Sequence, residues 1–166
     1  MKITKRIRFV THSAIIAAIY VVLTYVTNFL GLASGVVQCR LSEAMCILPG
    51  FTPAAVPGLF IGCLLSNLLT GSIILDVIFG SFATLLGAYF TLVLASKKAN
   101  PYTFPIPAIV ANSVIIPLVL KFAYGFEGSV WFFVLTVGLG EIISCGILGM
   151  LLYFSLKKKA NNLFLK

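Results

Sequence analysis

The chain has 166 residues, 60% of them hydrophobic and only 10% charged, whereas soluble domains carry about 45–50% apolar and about 25% charged residues, which excludes a soluble globular domain. A bilayer span needs about 20 apolar residues, so this length holds about six spans in one membrane domain over residues 1–166. The formal charge of +8 sits mainly at the two termini and in one internal loop, a pattern of membrane anchoring, and no soluble domain is present to carry nucleic-acid binding.

In chain order, the basic start Lys2, Lys5, Arg6 and Arg8 leads into an uncharged stretch over residues 13–32. That stretch exceeds the roughly 7–15 residues of a secretory signal's apolar region, so it reads as a retained span, with a helix over about residues 12–30 ending at Gly31. Residues 44–75 carry no charge, yet Pro49, Gly50, Pro53 and Pro57 interrupt them. Proline removes a helical hydrogen bond and clashes with the preceding turn. A short helix over about residues 41–48 and another over about 53–69 are therefore expected. The short one crosses only if irregular chain completes the span under cover of protein or a cavity.

The next helix covers about residues 74–96, between Gly71 and the loop of Lys97, Lys98, Asn100 and Pro101. A fifth covers about residues 104–124 with a kink at Pro117. The sixth, about residues 129–156, extends roughly 40 Å and must tilt or project. With the N-terminus in the cytoplasm, ten of the twelve basic residues fall on inner segments, and only Arg40 and Lys121 lie near the outer side. The positive-inside rule selects N-in and C-in. The expected fold is an all-α, six-transmembrane-helix bundle in the cell membrane.

Charge inside a bilayer costs about 2.5–3.5 kcal/mol on insertion scales, so the depth of the four acids is informative. Glu43, Asp76 and Glu127 are expected at outer helix ends, converging with Arg40 on one rim. Glu141, twelve residues past Ser129, lies about 18 Å along its helix, near the midplane. It is read as lining a cavity, the alternatives being a carboxyl kept neutral by burial or one paired with Arg40 or Lys121. Asn112 near mid-depth and Asn67 near the outer end are further polar candidates, or interhelical glue. Gln38, Arg40 and Glu43 occupy the outer loop and the start of the short helix, where Arg40 and Glu43 can pair at i and i+3. Tyr124, Phe126, Trp131, Phe132 and Phe133 offer stacking faces or form an interfacial belt. Together these describe an outward-facing polar cup suited to a flat, donor-rich solute.

Small residues form stripes: Ala14 and Ala18 on the first helix, Gly58, Gly62 and Ser66 on the third, Gly80, Thr84 and Ala88 on the fourth. Such faces admit a close helix neighbour, inside the bundle or on a partner. The four cysteines form no CxxC pair and the only histidine is His12. There is no phosphate loop, no HExxH and no GxSxG. No cofactor, metal or enzyme activity is expected.

Val37, Gln38, Cys39, Arg40, Leu41, Ser42, Glu43 and Ala44, then Leu48, Pro49, Pro57, Gly58, Gly62, Ser66 and Asn67, then Asp76, Gly80, Ser81 and Thr84, resemble the queuosine-precursor transporter family. That family belongs to the substrate-binding S-components of energy-coupling factor transporters. The resemblance implies a micronutrient-binding membrane protein served by a transmembrane coupling protein and two cytoplasmic ATPases. It implies 7-deazaguanine substrates such as preQ0, preQ1, queuine or the nucleoside queuosine. It also implies a face at Ala14 and Ala18 for the coupling protein, and rotation of the whole component in the bilayer. Depth and chemistry assign substrate contacts to Gln38, Arg40, Glu43, Asn67, Asp76, Asn112 and Glu141, with Glu141 accepting from the base edge. Other readings are an S-component for thiamine or riboflavin, or a structural membrane protein.

Overall fold

The computed structural model describes residues 2–32 and 39–159, and among them every regular element is helical. The chain runs through α1 (Lys2–Phe29), a 3-10 helix (Leu41–Gly50), α2 (Ala55–Leu69), α3 (Ile74–Ser96) and a short 3-10 turn (Pro101–Thr103). It continues through α4 (Ile106–Leu118), a π turn (Val119–Ala123), α5 (Val130–Glu141), a second π turn (Ile142–Leu148) and α6 (Gly149–Lys157). The last three form one rod over Val130–Lys157. Among the described residues, four segments are long and apolar enough to cross a membrane, with two shorter apolar helices, Leu41–Gly50 and Ala55–Leu69, beside them.

The first helix begins at Lys2 rather than near His12. No Gly or Pro precedes the apolar part, and Lys and Arg are good helix formers, so the basic start continues the helix beyond the span. α1 and α2 end alike: Leu32 N–H bonds Thr27 C=O and Gly31 N–H bonds Asn28 C=O, while Ser72 and Gly71 repeat the pattern on Asn67 and Leu68. Gly31 and Gly71 take positive φ there, the left-handed position at which glycine closes a helix.

The short second segment is a 3-10 helix of ten residues, long for its kind. Its rise of about 2.0 Å per residue carries it some 20 Å. It starts inside the bundle: Arg40 N–H donates to Ser144 Oγ on the second π turn at 3.0 Å, and Leu41 N–H donates to Thr27 Oγ1 at 3.1 Å. These two bonds satisfy donors that a helix start leaves without intrahelical partners.

The core cluster includes Ile16, Tyr20, Ile47, Leu59, Phe104 and Tyr153. Tyr153 stacks on Phe51 with centroids 4.9 Å apart and meets Phe104 edge-on at 5.9 Å, closing the bundle at the end where α1 begins and α6 stops. The glycine stripe of α2 is used internally. A Cβ at Gly58 would stand 2.8 Å from Ser13 O, and one at Gly62 would stand 2.7 Å from Tyr20 Cβ and 3.1 Å from Ala17 Cα. Gly62→Leu therefore forces α1 from α2, an overpacking cost of about 1–3 kcal/mol or more. A lower unfolding temperature in detergent is the expected reading; an unchanged one contradicts this packing.

Candidate functional site

The polar residues gather towards the end opposite the aromatic closure. A cavity of about 270 Å³ lies between α1, the chain entering the 3-10 helix, the α2–α3 turn and the end of α4; Asn28, Arg40, Asn67, Asp76, Tyr124 and Phe126 are among its walls. Below it is a pocket of about 20 Å³ that Arg40, Glu43, Gly80, Asn112 and Glu141 help to line, roomy enough for about one water. Arg40 and Ile116 border both spaces.

Asp76 stands in the first turn of α3, where the positive end of the helix dipole favours a carboxylate. It is buried to 5% exposure, and the Tyr124 hydroxyl donates to its Oδ2 at 3.1 Å. Asn67, 3% exposed, ends α2 facing the same cavity, its Nδ2 3.7 Å from Cys63 Sγ. Tyr124 and Phe126 stack at 5.4 Å between centroids. Trp131 and Phe132 turn outward and Phe133 is buried, so the expected aromatic set divides, with two residues on the cavity and two on the outer surface of the bundle.

Glu43 departs from the expected rim. The 3-10 helix starts against Ser144, which follows Glu141 on the rod, so Glu43 enters at depth and meets Glu141 in the lower pocket. Oxygens of Glu43 and Glu141 and the sulfur of Cys145 lie within 4.8 Å of one another. At three residues per turn Glu43 and Cys46 share one face. The second π turn opens directly after Glu141 and presents Cys145, whose sulfur is 3.1 Å from Glu141 Oε2 and 3.3 Å from the Glu43 carbonyl. Although three donor atoms so close could hold a metal ion, Arg40 lines the same pocket and opposes a second cation there.

The two carboxylates are differently engaged. The Tyr20 hydroxyl donates a hydrogen bond to Glu43 Oε1, whereas Glu141 receives the weak Cys145 thiol. Asn112 stands beside both. Among the described residues, the Arg40 guanidinium forms no ion pair within 4 Å, while its backbone is fastened at Ser144. Of the residues expected to act together, Arg40, Glu43, Asn112 and Glu141 line the lower pocket, and Arg40, Asn67 and Asp76 the upper cavity. Glu127 is exposed and borders neither, and Gln38 lies outside the described residues.

Sequence reasoning missed Tyr20, Thr24, Thr27 and Ser144. The first three recur at i, i+4 and i+7, one helix face, and Thr24 Oγ1 lies 3.0 Å from Ser42 Oγ. That polar stripe inside an apolar helix was the available signal.

The family model described as QueT transporter matches residues 10–158. The chain belongs to the QueT transporter family. Membership agrees with the resemblance carried by the residues between Val37 and Thr84, and with the apolar helices it identifies a multi-pass membrane protein. The queuosine precursor transporter QueT of Lactococcus lactis subsp. cremoris (strain MG1363) is 32% identical over 89 residues, 54% of this chain and 52% of that protein. The match thus spans about half the length of this curated relative. No solved structure matches.

Proposed function

We propose that this QueT family protein is the membrane-embedded substrate-binding component of an importer for queuosine precursors, taking up a 7-deazaguanine such as preQ0, preQ1, queuine or queuosine. The observation that carries the reading is the carboxylate pair, Glu43 and Glu141, beneath a polar cavity bordered by aromatic rings; the name of the Lactococcus relative supports it. A 7-deazaguanine presents N1–H and an exocyclic amine on one edge, and one carboxylate accepts from both, as acids accept from amino groups on other base edges. Glu141 takes this role, because Tyr20 already holds Glu43. At about 270 Å³ the upper cavity is near the lower limit for small-molecule sites. The lower pocket admits a base edge when the Arg40 and Ile116 side chains turn aside. Arg40, whose backbone N–H is held by Ser144, then donates from its guanidinium to the base carbonyl.

The purified protein is expected to bind a 7-deazaguanine without ATP and to melt at a higher temperature when it does, since a ligand of the native state stabilises by mass action. Stabilisation by thiamine or riboflavin, with none by deazaguanines, would overturn the substrate and retain a vitamin-binding role.

Transport would draw its energy from a transmembrane coupling protein and two cytoplasmic ATPases. Ala14 and Ala18 are exposed on α1, whereas the neighbouring Ser13 and Ala17 are buried against α2. This leaves an outward small-residue face suited to close helix approach. Ala14→Trp and Ala18→Trp are expected to abolish co-purification with the coupling protein while ligand binding persists. Assembly surviving in both variants would place the contact elsewhere.

A further inference from the structure

The acids outnumber the cations around the site. Glu43, Glu141 and Asp76 face the two spaces that Arg40 joins, and among the described residues Arg40 is the only basic residue on their walls. Asp76 has a structural explanation in its place at the start of α3. That explanation accounts for an acid there but not for its setting: the residue is 5% exposed beside a cavity of about 270 Å³, and one oxygen is held by Tyr124 while Oδ1 has no hydrogen-bond partner among the described residues. Gly80 leaves room next to that oxygen. A Cβ at Gly80 would stand 3.5 Å from Asp76 Oδ1 and 3.1 Å from Asn67 Nδ2, and Gly80 also lines the lower pocket. With no side chain at Gly80, no Cβ stands between the lower pocket and the Asp76 carboxylate.

The order of groups along these two spaces is carboxylate, guanidinium, carboxylate. Around a 7-deazaguanine the order is two N–H donors at N2 and N1, an acceptor at O6, and the substituent on C7. With the donors on Glu141 and O6 on Arg40, the C7 substituent points to Asp76. We propose that Asp76 is the acceptor of an ammonium group on that substituent, so that the site selects 7-deazaguanines carrying an aminomethyl cation over uncharged ones. This rests on the substrate reading above and adds a specificity-determining residue to it. A charge-assisted hydrogen bond in a shielded site is roughly twice as strong as a neutral one.

The experiment compares dissociation constants of 7-aminomethyl-7-deazaguanine and 7-cyano-7-deazaguanine for the detergent-purified full chain and its Asp76→Asn variant. The wild type is expected to hold the aminomethyl compound at least about tenfold more tightly, the scale of one hydrogen bond to a charged group. Asp76→Asn is expected to remove most of that preference by weakening the aminomethyl compound alone. Equal wild-type affinities, or a variant that weakens both compounds alike, would overturn the ammonium subsite while leaving the substrate reading standing. Binding of neither compound overturns both. If Asp76→Asn does not fold, Asp76→Ser is measured in its place, with the same loss of the aminomethyl preference expected and the same outcomes overturning the subsite.

Discussion

Glu141→Gln is expected to weaken binding of a 7-deazaguanine about a hundredfold while leaving the bundle folded. The proposed contact needs two acceptor oxygens facing N1–H and the exocyclic amine. Glutamine keeps one acceptor and turns an NH2 towards the second donor, so one charged hydrogen bond is lost and a donor faces a donor. Hydrogen bonds to charged groups are worth about 1.5–3 kcal/mol, and truncating one partner of a buried charged contact costs about 2–5 kcal/mol. About 3 kcal/mol corresponds to roughly a hundredfold in dissociation constant. Within the protein Glu141 receives the Cys145 thiol, a weak donor whose loss is minor, so the unliganded melting temperature is expected to move little. The parallel change Glu43→Gln behaves differently, because the Tyr20 hydroxyl is committed to Glu43 and the variant disturbs the protein's own hydrogen bonding as well as the ligand. Titration calorimetry on both variants separates the two roles. Wild-type affinity in Glu141→Gln would remove this residue from the site.

Much of the architecture was legible because charge and proline act locally. α3 matches the expected residues 74–96, since Gly71 and Lys97 bound an apolar run of bilayer length. Pro49, Pro53 and Pro57 separated the second and third segments, which the structure resolves as Leu41–Gly50 and Ala55–Leu69. The 3-10 form of the one and the two π turns in the later helices were not legible. The bonds that fasten the start of the 3-10 helix come from Thr27 and Ser144 to the backbone at Leu41 and Arg40, partners 14 and 104 positions away. Pro117 did mark the place where α4 gives way to the π turn Val119–Ala123.

The candidate site residues were legible to the extent that depth could be counted along a helix. Glu141, twelve residues into its rod, and Asn112 on α4 meet in the lower pocket because both helices are continuous from the membrane surface. Glu43 defeated the same arithmetic, since its segment starts within the bundle instead of at the rim. Tyr20 was hidden by its residue type: a tyrosine in an apolar helix reads as core, and its ring is core, but its hydroxyl is what holds Glu43. Large aromatics with a polar tip commonly combine both uses.

Gly80→Val is expected to abolish ligand binding without unfolding the protein, and Gly87 on the same helix supplies the contrast. The two glycines are seven residues apart and share a face. At Gly87 an added Cβ would stand 2.8 Å from Ala108 Cα and 3.2 Å from its N, so that glycine brings α3 and α4 backbones together, and a larger residue there forces the helices apart. At Gly80 the nearest atoms are Asn67 Nδ2 at 3.1 Å, Asp76 Oδ1 at 3.5 Å and Ile116 Cδ1 at 3.8 Å, all on side chains that line the upper cavity. The three atoms nearest a Cβ there all belong to side chains, and valine is a slightly better helix former than glycine, so unfolding temperature should hold within a few degrees. Its methyl groups enter the lower pocket that Gly80 lines and push the Asn67 amide aside, which in the proposed binding mode denies a planar base its approach to Glu141. Gly87→Val should instead fail in detergent stability while any folded fraction still binds. Titrating both variants with a 7-deazaguanine and recording their melting curves separates an opening from a packing contact. Full affinity in Gly80→Val would mean that the ligand never passes Gly80.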